Sequence, residues 1–196
     1  NAGVSVVVQT GAGGINTQAG DITVASSISK TAGGDATLTL NAHNNINLNA
    51  NITSSAGQLS LVLNPDSDSN SSGIINFGTG NVTFNANGGT ISAVGKNAAV
   101  TGGTVTLSSA FALSGLILSG GTISGAGLLS TSGRTSVSNG VTISGKTWDN
   151  TGTINITGTS GRITLASTST LNNNAGGVIN YNGTNAFPIT FSGGVD

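Results

Sequence analysis

Two of the six acidic residues in this 196-residue chain lie in the stretch NPDSDSNSSG. Asp66, Asp68 and Asn70 alternate with serine, and they have the oxygen spacing that opens a helix-flanked calcium-binding loop. Such a loop also needs glycine at its sixth position and glutamate at its twelfth, where this chain has Ser71 and Phe77. The sequence therefore favours a polar loop that bulges from a regular structure. Calcium bound by Asp66, Asp68 and Asn70 is the alternative, and no other cofactor is indicated.

The remaining carboxylates do not form the pair that hydrolysis of a polysaccharide requires. A glycosidase needs two carboxyl groups a few ångströms apart. Asp21 and Asp35 are 14 residues apart, which predicts different angles around a coil, while Asp149 and Asp196 stand alone. The chain is therefore predicted not to be an enzyme and to have no catalytic residues. A polysaccharide-active enzyme is the third alternative for its function.

Single copies of histidine and tryptophan are the other residues with chemical potential. His43 is predicted to lie in a turn, and it has no cysteine, glutamate or second histidine with which to bind a transition metal. Trp148 could stack on a sugar, but a lone indole in a β protein is more typical of a core corner. The same interpretation applies to Tyr181 and Phe187.

The composition excludes several classes of partner. Charged residues make up 6% of the chain, Gly accounts for 32 residues, and the formal net charge is −1. The five cations are scattered singly, so no basic stripe for nucleic acid is present. No apolar run approaches the roughly 18 residues of a membrane-spanning helix, which predicts no membrane insertion.

Short apolar alternations with a period of two recur along the whole chain and predict very short strands. Glycine-containing turn signals separate them. A coarser repeat of about 20 to 23 residues aligns Leu38 with Leu59, Val82 and Val105, and later Val141 with Ile163. Each repeat would hold about three strands, and one coil buries its apolar stripe only against the next.

These patterns predict an all-β fold, a right-handed parallel β-helix of about nine or ten coils and roughly 45 Å in length. Residues 1–196 are expected to form a single β-solenoid module, with a change in repeat texture near residues 101–145. Within GDATLTLNAHNNINLNANIT, the leucine and isoleucine side chains are predicted to point inward and the threonines outward. Stacked asparagines are expected to form ladders between coils.

Both ends of the chain carry apolar alternations without a blocking feature. Val4, Val6 and Val8 open it, and Ile189 and Phe191 nearly close it. Neither end shows a helix, a lysine-rich edge or a proline-blocked strand. These five residues are therefore predicted to be assembly ends, which pair with another copy of the chain or with flanking coils of a longer one.

Two stretches resemble known repeats. GDITVASSISKTAGGDATLTLNAHNNINLNANITSSAGQLSL, residues 20–61, resembles the filamentous-haemagglutinin-type exoproteins of Gram-negative bacteria, which are adhesins exported by two-partner secretion. GKTWDNTGTINITGTSGRITLASTSTLNNNAGGVINYNG, residues 145–183, is similar to repeats of that group and of autotransporter passenger domains. The resemblance implies an extracellular or bacterial cell-surface location. The family's secretion signature, of the type Asn-Pro-Asn-Gly, is not matched by Asn64-Pro65-Asp66-Ser67.

The function predicted from these observations is that of a structural shaft or filament-forming module of an adhesin-like protein, with host or environmental glycans as possible partners. The alternative is a surface-binding module for glycan, crystalline polysaccharide or ice through rows of Thr, Ser and Asn. That alternative requires threonine to repeat in register on one face of successive coils. Candidate positions are Thr37/Thr39, Thr104/Thr106 and Thr153/Thr157.

Overall fold

Three parallel β-sheets form the protein in a computed structural model, which describes residues 3–11, 19–70, 72–93 and 95–193. These residues contain 24 short strands and no helix. Each coil contributes one strand to each sheet, so every strand pairs with the third strand before it and the third after it. The all-β parallel solenoid predicted from the sequence is therefore confirmed, while right-handed winding stays a prediction.

Eight strands make up each sheet. In pairing order, sheet A consists of β1 (Val6–Gln9), β4 (Ala36–Asn41), β7 (Leu59–Asn64), β10 (Ile91–Ser92), β13 (Phe111–Leu113), β16 (Leu129–Thr131), β19 (Thr147–Asn150) and β22 (Thr170–Asn173). Sheet B consists of β2 (Ile22–Val24), β5 (Ile46–Leu48), β8 (Ile75–Phe77), β11 (Asn97–Val100), β14 (Gly115–Leu118), β17 (Arg134–Val137), β20 (Thr153–Gly158) and β23 (Val178–Gly183). Sheet C consists of β3 (Ile28–Lys30), β6 (Ile52–Ser54), β9 (Val82–Asn85), β12 (Thr104–Leu107), β15 (Thr122–Ser124), β18 (Gly140–Ser144), β21 (Arg162–Ala166) and β24 (Ile189–Ser192).

The number of coils is smaller than predicted. Eight strands per sheet correspond to about seven turns, so the prediction of nine or ten coils was wrong. The cause is coil length: register partners along sheet A are separated by 32, 23, 30, 20, 18, 19 and 23 residues instead of a constant 20 to 23. At about 4.8 Å per coil, the first and last strands of a sheet lie roughly 34 Å apart.

Part of the predicted repeat alignment was also wrong. Leu38 pairs with Leu61 and not with Leu59, while Val82 belongs to sheet C. The register of Val82 with Val105 is confirmed. So is that of Val141 with Ile163. The three sheets run through residues 101–145 without interruption.

The inward side chains form one continuous apolar core. The predicted alternation is confirmed in β4 and β5, where Leu38, Leu40, Ile46 and Leu48 are buried between partly exposed neighbours. Burial of a side chain of this size contributes about 1.5–3 kcal/mol. Strands with so little charge are thus held by the backbone ladder and by this core.

Asparagine ladders and aromatic contacts reinforce the stack. Asn76 Nδ2 donates to Asn47 Oδ1 of the preceding coil at 2.9 Å, and Asn180 Nδ2 donates to Asn155 Oδ1 at 3.1 Å, which confirms the predicted ladders. In the core, the Phe77 ring meets other phenylalanine rings edge to face, at centroid distances of 5.8 and 6.2 Å. In the described part of the chain, no helix is long and apolar enough to cross a membrane.

Candidate functional site

The acidic stretch leaves sheet A after β7 and folds back on the preceding coil. The Asp66 N–H donates to Asn44 O at 3.1 Å, and the Ser67 N–H donates to Ala42 O at 2.9 Å. Asp66 and Ser69 have positive φ angles of 53° and 60°, which polar residues tolerate in tight turns. The stretch is an excursion between sheets A and B that lengthens its coil.

The oxygens of this excursion are largely engaged with one another. Asn70 Nδ2 donates to Asp68 Oδ2 at 2.8 Å, and Asn70 Oδ1 accepts the Ser72 N–H at 2.8 Å. Asp68 Oδ2 also lies 3.9 Å from His43 Nδ1, in the turn where His43 was predicted. Asp66 Oδ1 is buried and has no hydrogen-bond partner. Calcium at Asp66, Asp68 and Asn70 stays a prediction, and nowhere in the described residues do three or more His, Cys, Asp or Glu side chains converge.

The other described aspartates serve the stack itself. Asp21 Oδ1 accepts the Asn45 N–H at 2.9 Å, and Asp35 Oδ1 accepts the Gln58 N–H at 2.8 Å. Asp149 Oδ1 accepts a side-chain hydrogen bond from the next coil at 2.8 Å. Each carboxylate therefore caps a donor of the following coil, in the manner of the backbone caps that satisfy unpaired N–H groups. Asp196 lies outside the described residues.

A buried lysine crosses the corner between sheets C and A. Lys146 is 1% exposed, and its amine donates to Leu107 O at 3.3 Å and to Gly127 O. Its side chain thus reaches back over two coils. Burial lowers the pKa of Lys146 from 10.5 to about 8.

A polar chain of side chains lies next to Lys146 inside the lumen. Trp148 Nε1 donates to Thr131 Oγ1 at 2.9 Å, and Thr131 Oγ1 donates to Asn150 Oδ1 at 3.0 Å. Asn150 Nδ2 then donates to Asn173 Oδ1 at 2.8 Å and to Gly152 O at 2.9 Å. Trp148 is fully buried, as predicted for a core corner. Sequence reasoning missed this network, although Lys146, Trp148 and Asn150 alternate with the period of inward residues.

The outer surface of sheet C carries two rows of hydroxyl side chains in register over five successive coils. The first row is Thr104, Thr122, Thr142, Thr164 and Thr190. The second row is Thr106, Ser124, Ser144, Ala166 and Ser192. These ten positions are called the hydroxyl face below. Neighbours in it are hydrogen-bonded, because Thr106 Oγ1 lies 2.9 Å from Ser124 Oγ and Thr164 Oγ1 lies 3.1 Å from Thr190 Oγ1.

The outer surfaces of sheets A and B are chemically mixed. A row on sheet A reads Val7, Thr39, Val62, Ser92, Ala112, Ser130, Asp149 and Asn172. A row on sheet B reads Thr23, Asn47, Asn76, Ala99, Ile117, Ser136, Asn155 and Asn180. The three threonine pairs singled out from the sequence lie on three different sheets, and only Thr104/Thr106 begins a continuous row. Variable coil length hid this register from the sequence.

Both ends of the solenoid expose apolar side chains. At the first coil Val6 is 49% and Val8 42% exposed, and an apolar cavity of about 640 Å³ opens beside them. Val4 lies before β1 and is more exposed still. At the last coil Phe191 is 68% exposed and Ile189 is half-buried. The five predicted end residues therefore lie at the two open ends of the lumen.

Comparison of the chain with protein-family models, with curated proteins and with solved structures finds no match. The fold and the geometry above therefore carry the functional argument alone.

Proposed function

We propose that this chain is a structural shaft or filament-forming module of a bacterial secreted or cell-surface protein of the filamentous-haemagglutinin adhesin type. The observation that supports this proposal is the open state of both ends. Among the described residues, the first and last strands of every sheet pair on one side only. Such strands offer a ladder of backbone donors and acceptors to a further parallel coil.

Burial of the end residues is the driving force for adding coils. Val6 and Val8 expose about half of their surface, whereas Leu38 and Leu40, their register partners in the next coil, are at most 8% exposed. A coil stacked on β1 would remove the two valines from water and contribute hydrophobic free energy at about 25 cal/mol per Å². The same argument applies to Phe191 at the other end.

The coils that cover the ends are supplied by a second copy of the chain or by flanking coils of a longer chain. Head-to-tail stacking of copies does not close on itself, so it produces an open filament. A rod of this kind acts mechanically, since it carries a binding tip or holds two surfaces at a distance. Its uncharged surface of Thr, Ser and Asn contacts glycans weakly and many times over.

Self-stacking is tested by sedimentation velocity of the 196-residue chain over a range of concentrations. We expect the wild-type chain to form larger species as the concentration rises. Val8→Lys should prevent this, because it places a charge in the apolar lumen of the junction. Ile117→Lys is the matched control, since Ile117 is 45% exposed in the middle of sheet B. Equal assembly of the two variants would contradict assembly through the ends.

A further inference from the structure

We propose that the hydroxyl face binds ice, that is, the ordered surface of frozen water. This inference goes beyond the role of a shaft and does not depend on it. The rows run over β12, β15, β18, β21 and β24, and nine of their ten side chains carry a hydroxyl group. What identifies the ligand is the regularity of the array together with its chemistry.

The spacing of the array is fixed by the fold. Neighbouring positions in one row are separated by one coil, about 4.8 Å, and the two rows are separated by two residues of a strand, roughly 6.7 Å. Threonine is restricted at χ1 because it is β-branched, so its hydroxyl and methyl groups keep their directions. The hydrogen bonds from Thr106 to Ser124 and between Thr164 and Thr190 restrict them further. An array that is already ordered loses little entropy on binding.

The chemistry of the face fits a lattice of water better than any soluble ligand. None of the ten positions is charged or aromatic, and Arg162 lies at the edge, before Thr164 in β21. A sugar ring would call for an aromatic platform, which these positions do not provide. Each hydroxyl accepts and donates hydrogen bonds to water, and the threonine methyl groups lie between the waters so held. Water bound at fixed intervals over five coils is thereby arranged in a repeating pattern.

The preference of strands for threonine does not account for the rows. Outward positions of sheets A and B meet the same structural demand with Val, Ala, Ser, Asn and Asp. Threonine fills the first row of sheet C in five coils of five, although the coil lengths there differ. The register is therefore a property of this face alone.

The test measures how the purified chain partitions between growing ice and the remaining liquid, together with its inhibition of ice recrystallisation. Thr142→Lys interrupts the first row at its centre. Ser136→Lys is the matched control, since Ser136 is an outward residue of sheet B in the same coil. We expect the wild-type chain and Ser136→Lys to enter the ice. Thr142→Lys should lose roughly tenfold or more of this partitioning, because the face binds through many sites at once.

A second pair of variants in the preceding coil, Thr122→Lys and Ile117→Lys, repeats the comparison, and circular dichroism verifies that each variant is folded. Three results would overturn the proposal. The wild-type chain could be excluded from ice, or the variants on sheets B and C could lose partitioning equally. The third is binding to crystalline cellulose or chitin, with the same dependence on Thr142 and without ice binding.

Discussion

At the scale of single residues, the lumen tolerates polar side chains because their hydrogen bonds are complete. Thr131 accepts the indole N–H of Trp148 and donates to Asn150, so one hydroxyl satisfies two buried groups. A hydroxyl in this position is more important to stability than one on the surface, since the groups that it would leave unpaired have no access to water.

Thr131→Val tests this point, because valine has nearly the same shape and no hydroxyl. We expect the free energy of unfolding to fall by about 1–3 kcal/mol, as the Trp148 N–H loses its acceptor. Urea denaturation measures the change. Thr142→Val on the hydroxyl face is the control and should change stability by less than about 0.5 kcal/mol. Equal effects at both positions would mean that the buried network contributes nothing.

Lys146 gives the fold a specific dependence on pH. Its pKa is about 8 in the folded chain and 10.5 in the unfolded chain, because burial disfavours the charged amine. Between these two values the unfolded state binds more protons, so the free energy of unfolding rises with pH. The gain is at most about 3 kcal/mol, from about 1.4 kcal/mol per pKa unit.

The measurement is urea denaturation of the wild-type chain and of Lys146→Met at several pH values from 7 to 10.5. The wild-type chain should gain stability relative to the variant as the pH rises. A difference between the two that stays constant over this range would show that the amine of Lys146 titrates normally.

At the scale of strands and coils, the distance between neighbouring coils limits what each position accepts. Gly115, the first residue of β14, faces the backbone of the next coil so closely that a Cβ there would lie 1.8 Å from Arg134 O. No side-chain movement relieves such a contact, because both partners are backbone. Sheet B would have to open at this position.

Gly115→Ala should therefore lower the free energy of unfolding by about 3 kcal/mol or more. Gly80→Ala is the matched control, since no atom lies within 4 Å of its added Cβ. It should leave stability unchanged or raise it by up to about 1 kcal/mol, through the lower entropy of the unfolded chain. Thermal denaturation followed by circular dichroism compares them. If Gly115→Ala were as stable as Gly80→Ala, the coil spacing described here would be wrong.

The same scale explains what the sequence predicted and what it did not. The inward and outward directions in β4 and β5 were predictable, because alternation is a local property of a strand. The register between coils was not, because the excursion after β7 stretches one coil to 30 residues while another has 18. For this reason Leu38 was aligned two residues away from its partner, and the five-coil row of threonines on sheet C was overlooked.

At the scale of the whole molecule, the coil count follows from the same variation. A constant repeat overestimates the number of coils when several coils are long. The three sheets nevertheless continue through every change of coil length, since stacking needs only that each strand meet its neighbour in parallel. Function then depends on surfaces that the stack leaves uncovered, namely its two open ends and its three outer faces.

The open ends are tested most directly by electron microscopy of the purified 196-residue chain in native buffer, at low and high concentration. We predict rods of constant width whose lengths are multiples of roughly 34 Å, and which grow with concentration. Val8→Lys should leave only the shortest particles. Wild-type particles that never exceed the length of one chain, at any concentration, would contradict the proposal that the ends of this solenoid accept further coils.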